Sequence, residues 1–125
     1  MGLVHADFVL TNLFSNKSVP VRALVDTGST HFCVTSEIAR ELGFDVEEAS
    51  RASISLADGR RQRVPVLRPV EVHFGERNGC LDVFVLGDEC LVGVLPLEAM
   101  DLVIDLQKQQ LVTNPAHPDG CYARA

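Results

Sequence analysis

The sequence lacks the apolar segments of a membrane-spanning or secreted protein. No run of apolar residues reaches the roughly 18 that a bilayer-spanning helix needs. Residues 1–12 have neither the basic segment nor the long apolar stretch of a signal peptide. We therefore expect a cytoplasmic protein with no membrane partner.

Basic residues are few as well. The chain has 11 Lys and Arg against 17 Asp and Glu, which gives a formal net charge of -6. Non-specific binding to nucleic acid and docking on anionic membranes both need a cationic surface. The charge balance therefore argues against both kinds of partner.

Closely spaced metal ligands are also absent from the sequence. The four cysteines, at positions 33, 80, 90 and 121, form no C-x-x-C pair, and the four histidines form no H-x-x-H or H-E-x-x-H pattern. A domain of 125 residues can fold without metals or disulfides. We therefore expect no metal or other cofactor, and we favour reduced thiols.

Most of the sequence has the residue pattern of short strands. Residues 4–12 alternate between apolar and polar positions, and residues 19–25 form a β-branched run after a turn at residues 15–18. Further strand patterns, separated in part by turns at 57–60, 76–79 and 107–110, cover residues 52–56, 61–74, 80–86, 91–95, 102–106 and 111–113. The pattern predicts a mostly-β chain and favours a closed or partly closed barrel.

Two short helices interrupt the strands. Residues 36–43 have an apolar face, with Ser36 predicted as the N-cap and Gly43 at the C′ position. Pro96 is predicted to open a second helix over residues 96–100. We expect one domain over residues 1–113 and a mobile tail, rich in Pro and Gly, over residues 114–125.

The most informative segment is Asp26-Thr27-Gly28-Ser29, directly after an apolar strand. An acid at the end of a buried strand loses part of its hydration, and the glycine lets the backbone turn closely beneath the carboxylate. The hydroxyl groups of Thr27 and Ser29 can fix its orientation. Because Asp, Gly and Ser also dominate ordinary turns, these four residues alone fit a plain turn equally well.

Two later segments complete an ordered pattern. An Asp58-Gly59 hairpin lies about midway, and Leu91-Val92-Gly93 repeats the shape of strand, glycine and helix without an acid. In this order the three segments resemble a retropepsin-like aspartic peptidase of the small stand-alone bacterial type, over residues 4–113. The resemblance implies a mostly-β, half-barrel acid-protease protomer with one or two short helices.

The resemblance also implies a role for each residue of the loop. Asp26 would be the catalytic residue, which holds and activates a water. Thr27, Gly28 and Ser29 would support it: Thr27 would hydrogen-bond across a dimer, and Gly28 would allow close backbone approach. Ser29 would donate to the carboxylate and favour its ionised form, which implies activity at acidic pH.

The other two segments receive roles by the same resemblance. The flap over the substrate is assigned to Leu56, Ala57, Asp58, Gly59 and Arg60, and a structural second motif behind the loop to Leu91, Val92 and Gly93. Arg60, Arg61 and Arg63 give the flap a positive edge. We favour a solvated rim for this edge, and the alternative is a preference for acidic side chains in the substrate.

Two residues just after the loop have chemistry of their own. For His31 we favour a surface or core position over one near the cleft, where it would alter the pH profile. We expect Cys33 to be a small buried hydrophobe.

The sequence contains a single D-T-G. The mechanism of the resembled family needs two carboxylates that share one proton, and one chain supplies only one of them. Two-fold symmetry can supply the second. We therefore predict a homodimer that is obligate for activity, acting on a peptide or protein substrate as an aspartic endopeptidase.

Two alternatives to the endopeptidase stay open. One is a binding or regulatory module that keeps the fold with little or no proteolytic activity. The other is a β-barrel unrelated to peptidases, for which a stable monomer is expected because nothing would force two-fold pairing.

Overall fold

The computed structural model describes residues 2–118, and the chain there is mostly β. In chain order the elements are β1 (His5–Asn12), β2 (Ser18–Val25), β3 (Phe32–Val34), α1 (Ser36–Glu41), β4 (Ser50–Ser55), β5 (Arg61–Phe74), β6 (Arg77–Val85), β7 (Leu91–Val92), α2 (Val94–Ala99), β8 (Leu102–Asp105) and β9 (Gln110–Thr113). The predicted fold class, mostly β with two short helices, is confirmed.

Alternation of apolar and polar residues buries one face of the first strand. Ala6, Phe8 and Leu10 of β1 are at most 6% exposed, while the residues between them are exposed. Strand β2 runs antiparallel to β1, and Val21 lies opposite Phe8 on the same buried face. The period-two pattern of the sequence therefore sets which side of each strand faces the core.

Six strands close into a barrel. They follow the order β1-β2-β7-β3-β6-β5, and β5 pairs in turn with β1, so that Val9 lies opposite His73. Two of the pairings, β2 with β7 and β3 with β6, are parallel. The prediction of a closed or partly closed barrel is thus confirmed.

Strand β5 is long enough to pair with different strands along its length. Its first part, from Arg61 to Val66, pairs with β4, and its second part pairs with β6 and β1. Its register on β6 shifts between Leu67 and Val70, where Pro69 has no N–H to donate. Among residues 2–118, β4 pairs only with β5, so the β4–β5 hairpin forms one edge of the sheet.

Buried apolar residues form two clusters. The larger one fills the barrel, and within it the rings of Phe8 and Phe32 meet edge to face with their centroids 5.3 Å apart. The smaller one joins the β4–β5 hairpin to β3 and β6 and consists of Cys33, Val64, Val66 and Phe84. This second cluster fixes the hairpin against the body of the domain.

The start of α1 differs from the prediction by one residue. Thr35, and not Ser36, is the N-cap, because the Oγ1 of Thr35 accepts a hydrogen bond from the Ile38 N–H at 3.3 Å. Thr and Ser both cap well, so the choice depends on where the strand before them ends. Gly43 follows the helix with a φ of +86° and donates its N–H to the Arg40 carbonyl, as predicted for the C′ position.

Helix α2 begins at Val94, two residues before the predicted start at Pro96. Gly93 is the N-cap, and Pro96 is the third helical residue. The first N–H groups of a helix have no acceptor within it, so proline fits any of these positions. Each helix of the described chain has six residues, too few to cross a bilayer.

The turn predicted at residues 76–79 is wrong. Strand β6 begins at Arg77, which pairs with Phe74, so that residues 75 and 76 alone make the turn. Gly75 has a φ of +57°, a conformation that glycine adopts without strain. Asn78 and Gly79 continue the strand.

Residues 114–118 are attached to the domain by hydrogen bonds. The Asn114 N–H donates to the Asp101 carbonyl at 3.0 Å, and His117 Nδ1 is hydrogen-bonded with Asp101 Oδ2 at 2.6 Å. Arg77 donates to the His117 carbonyl at 2.6 Å. The rest of the predicted tail, residues 119–125 with Cys121, lies outside the described residues.

Candidate active site

Asp26 is the first residue after β2. The parallel pairing of β2 with β7 sets Val25 beside Val92, and the Asp26 N–H donates to the Val92 carbonyl at 3.0 Å. Its side chain is half-buried. The pairing thereby joins the Asp26 loop to the Leu91-Val92-Gly93 motif, although some 65 residues separate the two in sequence.

Both carboxylate oxygens of Asp26 accept hydrogen bonds from the loop that follows. The Gly28 N–H donates to Oδ1 at 3.0 Å, and the Ser29 Oγ donates to Oδ2 at 3.0 Å. A Cβ on Gly28 would lie 3.3 Å from Oδ1, so glycine keeps this approach open. The two donors fix the carboxylate in one orientation. Thr27 lies exposed between them.

The start of α2 is hydrogen-bonded to the backbone of the loop that follows Asp26. The N–H groups of Gly93, Val94 and Leu95 donate to the carbonyls of His31, Ser29 and Thr30, each at 3.0 Å. A Cβ on Gly93 would lie only 2.5 Å from the Ser29 carbonyl oxygen. The first N–H groups of the helix therefore find acceptors in the carbonyls of the loop, and those carbonyls find donors. The approach is so close that only glycine fits at position 93.

The β4–β5 hairpin turns through Ala57, Asp58 and Gly59. The Leu56 N–H donates to the Arg60 carbonyl at 2.8 Å, and the Gly59 N–H donates to the Leu56 carbonyl at 2.9 Å. Gly59 has a φ of +86°, which explains the need for glycine there. The side chain of Arg60 pairs with Asp58, so this part of the predicted positive edge is neutralised within the turn.

A cleft of about 510 Å³ separates the hairpin from the Asp26 loop. Four predicted site residues line it: Gly28, Ser29, Leu56 and Ala57. Asp26 itself is not part of the lining but is hydrogen-bonded to Gly28 and Ser29, which are. The other predicted flap residues, Asp58, Gly59 and Arg60, lie at the turn outside the lining. The structure therefore brings together the loop and the near half of the flap.

A comparison with family models places the chain in a known family. Residues 13–98, well over half of the chain, match the family described as gag-polyprotein putative aspartyl protease. The chain belongs to this aspartyl protease family. The matched span contains the Asp26 loop, the hairpin and Gly93, so the resemblance to a retropepsin-like aspartic peptidase is confirmed. A search of curated proteins found no match.

Several cleft residues of the protease were not among those predicted from the sequence. Ser53, Ile54 and Ser55 of β4 line one wall, and Phe84 and Leu86, at the end of β6, line another. Phe84 reaches the cleft because β6 pairs in parallel with β3, which places it beside Cys33. Parallel register between distant strands has no local signal in the sequence.

His31 of the protease lies in the cleft, contrary to the interpretation favoured from the sequence. It is half-buried, and its ring meets the Phe84 ring edge to face with the centroids 4.4 Å apart. It also lines a smaller neighbouring hollow of about 320 Å³ next to Leu95. The imidazole of His31 is therefore part of the cleft lining.

Cys33 is a buried hydrophobe, as expected. It is 7% exposed and belongs to the small core cluster below the hairpin. Burial, with smaller effects of Cys90 and Asp26, raises the pKa of the Cys33 thiol to about 11. The thiol therefore stays protonated near neutral pH and is a poor nucleophile.

Proposed function

We propose that this protein is an aspartic endopeptidase that works as a homodimer and hydrolyses peptide bonds with a water held between two Asp26 carboxylates. The observation that carries the proposal is the carboxylate itself. It is half-buried beside a cleft and held at both oxygens by Gly28 and Ser29. An ordinary surface turn does not require a carboxylate that is held at both oxygens beside a cleft under the β4–β5 hairpin.

The chemistry requires two carboxylates in different protonation states. The ionised one takes a proton from water as the water oxygen attacks the peptide carbonyl carbon, and the neutral one gives its proton to the carbonyl oxygen. Collapse of the tetrahedral intermediate then breaks the C–N bond, and a proton passes to the leaving amine. Two carboxylates that are close together hold one proton between them readily, because both cannot easily be ionised.

A second copy of the chain is the proposed source of the second carboxylate. The D-T-G-S segment occurs once in the sequence, and a two-fold axis beside Asp26 would place two identical loops face to face. Thr27 and Gly28 are exposed on the loop, and Leu95, next to it on α2, is 46% exposed. Burial of Leu95 by the partner would stabilise the pair.

Cleavage of an unbiased peptide mixture tests this function. The products are read by mass spectrometry from acidic to neutral pH, with the Asp26→Asn variant as the control. Cleavage by the wild type that is lost in the variant supports the endopeptidase. A dimer that cleaves no peptide at any pH supports the binding module instead.

The cytoplasmic location stays a prediction from the sequence.

The Ser29→Ala substitution is expected to lower kcat/KM for cleavage. The Ser29 hydroxyl donates to Asp26 Oδ2 and helps to fix the orientation of the carboxylate. A hydrogen bond to a charged group contributes about 1.5–3 kcal/mol, so we expect kcat/KM to fall by about tenfold or more. The control is Ser50→Ala, on an exposed serine at the start of β4. An unchanged kcat/KM in Ser29→Ala would show that this hydroxyl does not position the carboxylate.

A further inference from the structure

The side chain of His31 is held at the wall of the cleft. His31 and Cys33 both line the cleft, while Phe32 between them is fully buried in the barrel. The His31 ring packs edge to face on the Phe84 ring, and the His31 carbonyl accepts from the Gly93 N–H at 3.0 Å. Both the ring and the backbone of this residue are therefore positioned beside the cleft before a substrate binds.

The two ring nitrogens of His31 have no hydrogen-bond or ion-pair partner among residues 2–118. In the same part of the chain, no fully buried side-chain nitrogen or oxygen lacks a partner, so the nitrogens of His31 are open to solvent. Each of the other three described histidines contacts a carboxylate: His5, His73 and His117. The hydrogen-bonding capacity of His31 is thus left for a ligand in the cleft.

The other side chains that line the cleft within residues 2–118 carry no nitrogen. The Ser29 hydroxyl already donates to Asp26. The remaining hydroxyl groups of the lining, which can each donate or accept, belong to Thr30, Ser53 and Ser55. An imidazole has one N–H when it is neutral and two when it is protonated, so His31 offers a donor in either state. The ring therefore favours a partner that accepts a hydrogen bond.

His31 lies at the boundary between two spaces. Among residues 2–118 it alone lines both the cleft of about 510 Å³ and the neighbouring hollow of about 320 Å³. Asp82 lines the hollow, but its two carboxylate oxygens accept from Arg68 at 3.0 Å each. A substrate side chain that fills this end of the cleft therefore meets the His31 ring with its N–H unclaimed.

We propose, on the basis of the function proposed above, that His31 is a specificity-determining residue, which favours substrates with a hydrogen-bond acceptor, such as the side-chain oxygen of Gln or Glu, in the side chain that it contacts. Gly28 and Ser29, which hold the Asp26 carboxylate, line the same cleft as His31. A peptide whose scissile bond reaches Asp26 therefore lies in the space that the imidazole borders. An apolar substrate side chain there would displace water from the ring N–H without replacing its hydrogen bond, which weakens binding.

The experiment compares two peptides that carry Gln or Met at one position and share a single cleavage site, with each position near the scissile bond tested in turn. The ratio of kcat/KM for the Gln peptide to that for the Met peptide is measured for the wild type, His31→Phe and His31→Gln. Phenylalanine keeps an aromatic ring against Phe84 but has no N–H, and glutamine restores a donor. Because the ratio is compared between enzymes, the different hydration of the two substrate side chains cancels.

The matched control is His73→Phe. His73 is also half-buried, but it lies on β5, contacts Glu71 and is not part of the cleft lining. His31→Leu also lacks an N–H and replaces His31→Phe if circular dichroism shows that the latter is unfolded. Binding of the same peptides is measured by fluorescence anisotropy with each variant combined with Asp26→Asn. That second readout does not depend on catalysis.

At one substrate position, we expect the Gln-to-Met ratio to be about threefold to tenfold lower in His31→Phe than in the wild type. His31→Gln should recover part of the difference, and His73→Phe should keep the wild-type ratio. Equal ratios in the wild type and His31→Phe at every position overturn the inference and leave the endopeptidase standing. Selective binding that is lost in His31→Phe, without any cleavage by the wild type, keeps the inference and overturns the endopeptidase. Neither cleavage nor selective binding overturns both.

Discussion

The Asp26→Asn variant is expected to lose at least about a thousandfold in kcat/KM on any peptide that the wild type cleaves. General acid–base catalysis contributes up to about four orders of magnitude, and an amide can neither take the proton of water nor return one. The side chain keeps its size, and its carbonyl oxygen can still accept from the Gly28 N–H. The loop should therefore keep its fold while the chemistry stops.

The matched control for this loss is Asp45→Asn. Asp45 also accepts backbone hydrogen bonds in a loop, from the N–H groups of Glu47 and Glu48, but these donors do not line the cleft as Gly28 and Ser29 do. Its kcat/KM should stay within about twofold of the wild type, because surface substitutions of this kind are usually close to neutral. Cleavage is measured by mass spectrometry, and circular dichroism confirms folding of both variants. Substantial cleavage by folded Asp26→Asn would exclude this residue as the catalytic acid.

The Gly93→Ala substitution is expected to cost both stability and activity. The added Cβ would lie 2.5 Å from the Ser29 carbonyl oxygen and 2.6 Å from the carbonyl carbons of Ser29 and Thr30. These are backbone atoms, so the loop has to move to make room. Overpacking of this kind costs about 2–3 kcal/mol, which lowers the thermal midpoint by about 10 °C or more in a domain of this size.

Gly79→Ala is the control for Gly93→Ala. A Cβ on Gly79 would lie 3.7 Å from Met100 Cγ, an ordinary contact, and the residue is in strand β6. Thermal unfolding is followed at one fixed protein concentration, because the midpoint of a dimer depends on it. We expect little change in Gly79→Ala. Equal midpoints for Gly93→Ala and the wild type would mean that α2 does not hold the loop as described.

Local patterns in the sequence predicted the elements and the loop of the site. Alternation marked Ala6, Phe8 and Leu10 as one buried face, and the order of the D-T-G-S, hairpin and glycine motifs marked the family. Boundaries were less certain because neighbouring residues have equal local preference. Thr35 and Ser36 both cap a helix well, and the turn before β6 uses Gly75 although the cluster after it is also rich in turn residues.

The cleft residues that were not predicted depend on strand register, and no local pattern in the sequence predicts the register of distant strands. Phe84 reaches the cleft because β6 lies parallel to β3, and His31 lines the cleft beside it with its ring edge to face on the Phe84 ring. The sequence showed the charge of the hairpin edge but not that Arg60 is neutralised by Asp58.

We propose that each active site contains Asp26 from two chains, and subunit mixing is the sharpest test of this arrangement. Wild-type protein at a fixed amount is equilibrated with a tenfold excess of Asp26→Asn chains, or of an inert protein as control, and cleavage is measured with substrate in excess over both. Random pairing leaves roughly one wild-type chain in eleven with a wild-type partner. We expect activity to fall about tenfold with the variant and to stay unchanged with the inert protein. Unchanged activity in the presence of the variant would show that each chain carries a complete site of its own, and would exclude a shared site.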